Sequence, residues 1–438
     1  MPGASSLSED IAVLPAALAE SAGRFGTPVY VVQLACVERA AAQVESAFPG
    51  RWTRLYSVKA NDLPAIVGFV HRRGWGASVV STGEWQHARE GGAANSSVAF
   101  EGIGKTNAQL EYAVREAAAG RPPLWLTVES AQEAAWLSEA VARGGLGRGG
   151  LPPLDILLRL NPQVRPETRP EFAVGARASK FGMTHEDLLA LVRGGVIHDP
   201  GLRLRGVHVH VGSDLDDVGA WSMAGLRAAR LLARLRSALE AGPAAPRQGA
   251  EHMDTIDFGG GFPVPGPDAP APGQFHDALV RALDEAGLAL PARPAIEPGR
   301  YLVGAAGWLV ASVLHARSGA GRTQQAVLDA GMTEFIRPAL YGSHHPAHAL
   351  APAGDAGLRE TALEGPVCES TDSLGTHRLP VLHRGDLIAI ERAGAYGASF
   401  TSRYNGRPPP AEVLLWPDGS LELCARPAPG RQAPPRRR

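Results

Sequence analysis

A (β/α)8 barrel followed by a separate β domain, an α/β fold overall, is what the sequence predicts, and three observations predict it. From about residue 50 to about residue 300, short apolar runs rich in β-branched and aromatic residues alternate with Ala-, Leu- and Arg-rich helical stretches, the rhythm of a parallel sheet. Eight such runs fall in that interval, the number that closes a barrel. After residue 301 the helical stretches give way to apolar runs separated by Gly and Pro turns. A doubly wound sheet is the competing architecture, but no Gly-x-Gly-x-x-Gly turn follows the first strand.

In chain order, residues 1–26 read as a short amphipathic start, 28–32 as a β-branched strand after a turn signal, and Cys36 to Phe48 as a helix. The barrel strands are expected at 52–58, 76–80, 97–100, 124–128, 155–159, 204–211, 255–258 and 293–296. The β domain is expected to use 308–315, 325–328, 365–369, 387–391 and 411–415, with 144–153 and 347–358 as loops and 431–438 as a solvated basic tail.

The chain has 438 residues, 45% apolar and 20% charged, with a formal net charge of -1. That is ample core material and no overall field to draw nucleic acid or an anionic membrane, so a small-molecule partner is expected. Cys36, Cys368 and Cys424 are too few and too scattered for a disulfide framework or a four-ligand zinc site. With no apolar run near the roughly 18 residues of a membrane span, a cytoplasmic location is expected. Of 43 basic Lys and Arg residues only Lys59, Lys105 and Lys180 are lysine. In so lysine-poor a chain, each survivor is a suspect for work arginine cannot do, such as forming an imine.

Lys59 sits in Tyr56-Ser57-Val58-Lys59-Ala60-Asn61 at the end of a barrel strand, on the face where such barrels carry their active sites. Lys105 and Lys180 are expected to serve structure or surface salt bridges. His208-Val209-His210-Val211-Gly212-Ser213 puts two histidines on one face of a strand. Either suits a core, and the pair suits zinc, but no nearby carboxylate or cysteine completes a site, so no metal is expected. An imidazole stacked on a flat cofactor ring fits His210 better. Asp257-Phe258-Gly259-Gly260-Gly261 runs a strand into bare backbone N–H groups, a tight turn or a phosphate cradle. Glu297-Pro298-Gly299-Arg300 offers a carboxylate for a protonated ring nitrogen and a guanidinium for phosphate or carboxylate. An imine-forming lysine, a stacking histidine, a phosphate cradle and a ring-nitrogen carboxylate together are the parts list for pyridoxal 5'-phosphate (PLP).

These motifs, with Ser81-Thr82-Gly83-Glu84, Arg159-Leu160-Asn161-Pro162, Ser179-Lys180-Phe181-Gly182, Arg337-Pro338-Ala339-Leu340-Tyr341, Gly365-Pro366-Val367-Cys368-Glu369-Ser370, Gly394-Ala395-Tyr396 and Tyr404-Asn405, resemble the barrel-fold (fold type III) PLP-dependent amino-acid decarboxylases across about residues 27–416. Within them the resemblance is closest to the diaminopimelate decarboxylases. It implies segment limits of 1–36, whose strand completes the β domain (a β-sandwich or barrel), 37–302 for the PLP-binding barrel, 303–428 for the β domain and 429–438 for the tail. It implies that Lys59 bonds PLP, that His210 stacks on the ring, and that Ser213, Gly259, Gly260, Gly261 and Gly299 hold the phosphate. Glu297 is implied at the pyridine nitrogen, with Arg300 and Tyr396 near phosphate and substrate. Cys368 is implied as proton donor and Arg337, Tyr341 and Glu369 as substrate contacts, the sites being shared across a head-to-tail homodimer. The neighbours Glu369, Ser370 and Asp372 also argue against Cys368 as a core residue.

Substrate-side positions depart from the diaminopimelate decarboxylase pattern. Ser78 stands where an aspartate is usual, Thr82 replaces a glycine, Arg169 and Val174 replace a histidine and a threonine, Asp214 replaces a glutamine, and Gly342-Ser343-His344-His345 replaces an Asp-Ala-Tyr-His-like run. The implied reaction is decarboxylation of meso-diaminopimelate to L-lysine. The alternatives are ornithine, arginine, carboxynorspermidine or a siderophore or natural-product intermediate as substrate, and less so a racemase or a non-catalytic paralogue.

Overall fold

The computed structural model describes residues 6–169, 172–175, 179–240, 250–318, 323–350 and 357–425. The expected basic tail, and residues 351–356 of the loop expected at 347–358, lie outside the described residues. The chain divides into two compact units, Ala41–Tyr301 and Met1–Ala40 with Leu302–Arg438.

In the first unit β2 (Thr53–Ser57), β3 (Gly76–Val79), β4 (Val98–Phe100), β5 (Trp125–Val128), β6 (Leu154–Leu160), β7 (Leu202–Val209), β8 (Thr255–Asp257) and β9 (Arg293–Ile296) follow one another in a closed parallel barrel. Closure comes from β9 lying on β2, with Thr53 opposite Ala295 and Arg54 opposite Ile296. Leu55, Ala99, Trp125, Leu157 and Ala295, from five of the strands, pack into one apolar cluster. The helices after β3, β4 and β5 start on side-chain caps: Ser81 accepts from the Glu84 N–H, Thr106 from Gln109 and Ser130 from Glu133. Every expected barrel strand is present, with ends shifted by up to two residues.

In the second unit β1 (Val29–Gln33), after helix Ser6–Phe25, lies between β10 (Gly307–Ser318), antiparallel, and β16 (Ala411–Leu415), parallel. Val29 and Val31 enter one apolar cluster and Tyr30 the other, so both faces of β1 are buried and its sequence needs no polar alternation. The sheet continues through β11 (Thr323–Leu328), β13 (Arg359–Glu364) and β14 (Ser373–Leu379) on one side and β17 (Leu421–Ala425) on the other; β15 (Leu387–Ile390) pairs with β10 and with β12 (Ala347–Ala349).

Two expectations are corrected here. Residues 365–369 are not a strand: the strand ends at Glu364, and Asp372, 3% exposed, accepts from the N–H groups of Met332 and Val367 to shape the following loop. The start of the expected loop at 347 is strand β12, paired antiparallel with β15. Among the described residues no helix is long and apolar enough to cross a membrane.

Candidate active site

Lys59 follows β2 in a single 3-10 turn, Val58–Ala60, with Val58 and Ala60 buried beneath it. Tyr56 donates its hydroxyl to the Asn61 carbonyl at 2.8 Å, and the Asn61 side chain accepts from the Leu63 N–H at 3.2 Å, so the turn is tied at both ends. The charge of the half-buried lysine acts on Glu84, His210 and Glu297, lowering the pKa of all three. Lys105, by contrast, is buried and ion-paired to Glu133 at 2.9 Å.

Strand β7 ends at Val209, so His208 belongs to the strand while His210 lies just past its end. The barrel register sets His208 between Arg159 on β6 and Asp257 on β8. Its Nε2 lies 3.3 Å from Glu297 Oε2 and its Nδ1 3.9 Å from Glu101 Oε2. The Trp125 indole donates to Glu101 Oε1 at 3.0 Å. The expectation that no carboxylate stands near the histidine pair is therefore wrong. Glu101 and Glu297 reach His208 from the ends of β4 and β9, and one ligand atom from each of the three residues falls within 4.8 Å of the others. A cation there would compete for the carboxylate that a protonated ring nitrogen needs.

The cluster divides its charge unevenly. Burial opposes ionisation of Glu297, but the hydrogen bond and charge of His208, with Lys59 and Ser78, hold its carboxyl down at about 2. Burial, then the charges of Glu297 and Glu101, push Asp257 well above the ordinary carboxylate range. Burial also raises Glu101, against the pull of His208. The negative charge thus rests on Glu297. Burial, then the cations Lys59 and Arg159, drive His210 well below the ordinary imidazole range, leaving a neutral ring at pH 7. Arg159 is itself ion-paired to the buried Glu129.

At Gly259, φ +70°, a Cβ would lie 2.7 Å from His210 Nδ1 and 2.8 Å from the Val209 carbonyl, so only glycine lets the loop pass there. The three glycine carbonyls accept from Glu297 N, the Trp221 indole and Leu215 N. The Gly259 N–H donates to Asp257 Oδ1 at 2.8 Å, which removes it from the expected cradle. The N–H groups of Gly260 and Gly261 have no partner among the described residues. Arg300, 6% exposed, donates from Nε and Nη2 to Ser213 Oγ, both at 3.2 Å. At Gly299 a Cβ would stand 2.9 Å from the Cβ atoms of Ser57 and Ala60, so this glycine seats the Glu297 loop on the Lys59 turn.

PLP fits this donor set. Glu297 Oε1 and His210 Nδ1 are buried without a hydrogen-bond partner. A ring N–H satisfies the first, and the two glycine N–H groups with Ser213 and Arg300 suit a phosphate.

The second unit carries the other expected residues in two groups. Arg337, 4% exposed, has its guanidinium carbon 5.7 Å from the Tyr341 ring and 5.8 Å from the Tyr396 ring, Tyr396 being held at φ +56°. Cys368 and Glu369 are exposed; Tyr404 donates to Glu369 at 2.5 Å and Asn405 Nδ2 lies 3.7 Å from Cys368 Sγ. The sequence reading missed Glu101, Glu129 and Asp257 as site-end acids. Their signal is there in retrospect: each stands at or just after the C-terminal end of a barrel strand, as Glu297 does.

A (β/α)8 barrel with a lysine, a neutral histidine, an ionised buried carboxylate and an anion cradle at its strand ends defines a PLP-dependent enzyme. Residues 34–304 match the family model described as "Pyridoxal-dependent decarboxylase, pyridoxal binding domain". The chain is 31% identical over 407 residues to a diaminopimelate decarboxylase of Zymomonas mobilis, covering 91% of this chain and 90% of that one. It is 34% identical over 401 residues to one of Archaeoglobus fulgidus, covering 89% and 88%. The crystal structure of the Helicobacter pylori diaminopimelate decarboxylase complexed with L-lysine superposes with a TM-score of 0.81 at 28% identity, covering 94% of this chain and 96% of that one. The chain belongs to the pyridoxal-dependent decarboxylases and is a PLP-dependent carboxy-lyase.

Proposed function

We propose that the protein decarboxylates meso-diaminopimelate to L-lysine and carbon dioxide. The observation that carries the substrate is the likeness, over nine-tenths of the chain, to diaminopimelate decarboxylases, including one whose crystal structure holds L-lysine, the product of that reaction. Bound PLP supplies an electron sink for the pair released when the carboxylate leaves. Lys59 holds the cofactor covalently, and neutral His210 packs on its ring without setting a cation against it. Glu297 keeps the ring-nitrogen proton in place. Gly260, Gly261, Ser213 and Arg300 bind the phosphate. Gly299 keeps the Glu297 loop against the Lys59 turn, and Gly259 holds the loop under His210. In the second unit, Cys368 delivers a proton to the substrate α-carbon, while Glu369, Arg337, Tyr341 and Tyr396 meet the substrate's ionic groups, each burying a charge only against a partner. The protein works as a homodimer in the cytoplasm, Cys368 and Glu369 serving the partner's Lys59.

One observation favours a second reading, a related amino acid as substrate. Asp214, at φ +58°, brings a carboxylate 3.7 Å from Arg300 Nε, where the resembling enzymes carry a neutral glutamine.

The test is to incubate PLP-loaded protein with meso-diaminopimelate, ornithine, arginine and a citryl-diaminopropionate-like amide, following carbon dioxide and amine. Lysine from diaminopimelate is expected, with the other three slower by about 100-fold or more, the discrimination available when a buried polar group is left unpaired. Borohydride reduction is expected to fix the cofactor on the peptide that carries Lys59; a label on Lys105 or Lys180 overturns the assignment.

A further inference from the structure

We propose that His208 is a positioning residue, whose Nε2–H holds Glu297 ionised and turned so that its second oxygen meets the cofactor's ring nitrogen. The proposal rests on the reading of Glu297 as the ring-nitrogen partner and goes beyond it, because no contact between His208 and the cofactor is required. His208 and Glu297 are 2% and 6% exposed, with Nε2 to Oε2 at 3.3 Å, while Glu297 Oε1 has no hydrogen-bond partner. An ionised carboxylate only accepts, so the shared proton lies on Nε2 and fixes the imidazole's orientation. The register with Arg159 and Asp257 on either side sets that orientation from the barrel backbone, as a residue on a strand can and a loop residue cannot.

The need for such a residue follows from what surrounds Glu297. Lys59 after β2, Ser78 on β3, Glu101 after β4, Arg159 on β6, and His208 and Asp257 on β7 and β8 face into this region. Two of these, Glu101 and Asp257, are acids that the charge on Glu297 pushes toward their neutral forms, while burial opposes ionisation of Glu297 itself. A protonated Glu297 would offer the ring nitrogen no charge and leave it unprotonated. His208 is the larger of the two hydrogen-bonding influences that turn the balance, and Ser78, standing where the resembling enzymes carry an aspartate, adds a smaller hydrogen bond in place of a third acid.

Holoenzyme loaded with PLP labelled with nitrogen-15 at the ring nitrogen reads this out by NMR, since the chemical shift reports that atom's protonation irrespective of turnover. In the wild type the ring nitrogen is expected to stay protonated to the alkaline limit of folding. In His208→Leu it is expected to lose its proton about one to two pH units earlier, the shift worth one hydrogen bond to a charged group. His208→Gln, whose amide reaches the same oxygen, is expected to restore most of that difference. If the Leu variant does not fold, His208→Asn, too short to reach Oε2, decides in its place with the same expected shift. A wild-type titration in the Leu or Asn variant overturns the proposal. Glu297→Gln separates the two readings. If it leaves the ring nitrogen protonated, Glu297 is not the partner and the earlier reading fails with this one. If it removes the proton while the His208 variants do not, only the role of His208 falls.

Discussion

Lys105 shows what the scarcity of lysine signifies at the scale of one residue. Its side chain is 0% exposed and ion-paired to Glu133, itself 6% exposed, at 2.9 Å. Burial pushes the Glu133 carboxyl up while Lys105 pulls it down. Lys105→Met leaves burial of Glu133 opposed only by the Glu129 N–H and is expected to cost about 3 kcal/mol of stability in urea unfolding near neutral pH, the usual price of orphaning a buried charge. An acid whose folded value is raised loses stability as pH rises through the window between its unfolded and folded values. The deficit is therefore expected to be larger at about pH 7.5 than at about pH 5, and a pH-independent deficit would assign the loss to packing. Lys59, half-buried at the end of a barrel strand, was legible because it closes that strand in a chain that otherwise uses arginine. Glu101 and Asp257 were not, because they and Glu297 are far apart in sequence and only barrel closure gathers them about His208. Spacing along the chain carries no trace of that, which is why the histidine pair read as lacking a carboxylate.

Elements were legible in proportion to how apolar they are. Barrel strands are buried along most of their length and read as short, largely apolar runs, so all eight stood out. Strand β14, Ser-Leu-Gly-Thr-His-Arg-Leu, has its buried positions interleaved with exposed Thr376 and Arg378, and β13 is Arg-Glu-Thr-Ala-Leu-Glu; neither shows an apolar run, and the reading displaced the strand onto Gly365–Glu369. The turn after β8 was read as a cradle of three N–H groups, and the structure reduces it to two because Asp257 takes that of Gly259. Gly260 tests that element directly. A Cβ there would run into the Glu297 carbonyl, a backbone atom that cannot swing aside, so the loop must move away from the segment that carries Glu297. Gly260→Ala is expected to weaken PLP binding by about 10-fold or more, equivalent to losing one good phosphate hydrogen bond, as measured by cofactor fluorescence titration of the folded apoprotein. Unchanged affinity would show that the loop does not hold the phosphate.

On the scale of the whole molecule, an exposed thiol has to serve buried chemistry. Cys368 and Glu369 face solvent, and in the same unit Leu340, Phe400 and Tyr404 are 53%, 39% and 47% exposed. A carbanion left open to water is protonated by whatever arrives first, so a thiol that delivers the proton has to be covered during turnover. Exposed large apolar side chains in the same unit are what a covering surface would bury. A second copy of the chain supplies that cover in the proposed homodimer, where the Lys59 of one protomer works with the Cys368 of its partner, and two-fold symmetry then builds two such sites. Mixing inactive Lys59→Ala protein with inactive Cys368→Ala protein tests this. Each heterodimer contains one site with both residues intact and one with neither. With random exchange half of the dimers are mixed and carry one good site of two, so activity is expected to return to about a quarter of wild type. Subunit exchange is followed independently by mass spectrometry of differently labelled chains. If the chains exchange, both homodimers stay folded, and no activity returns, the two residues act within one chain and the shared site is wrong.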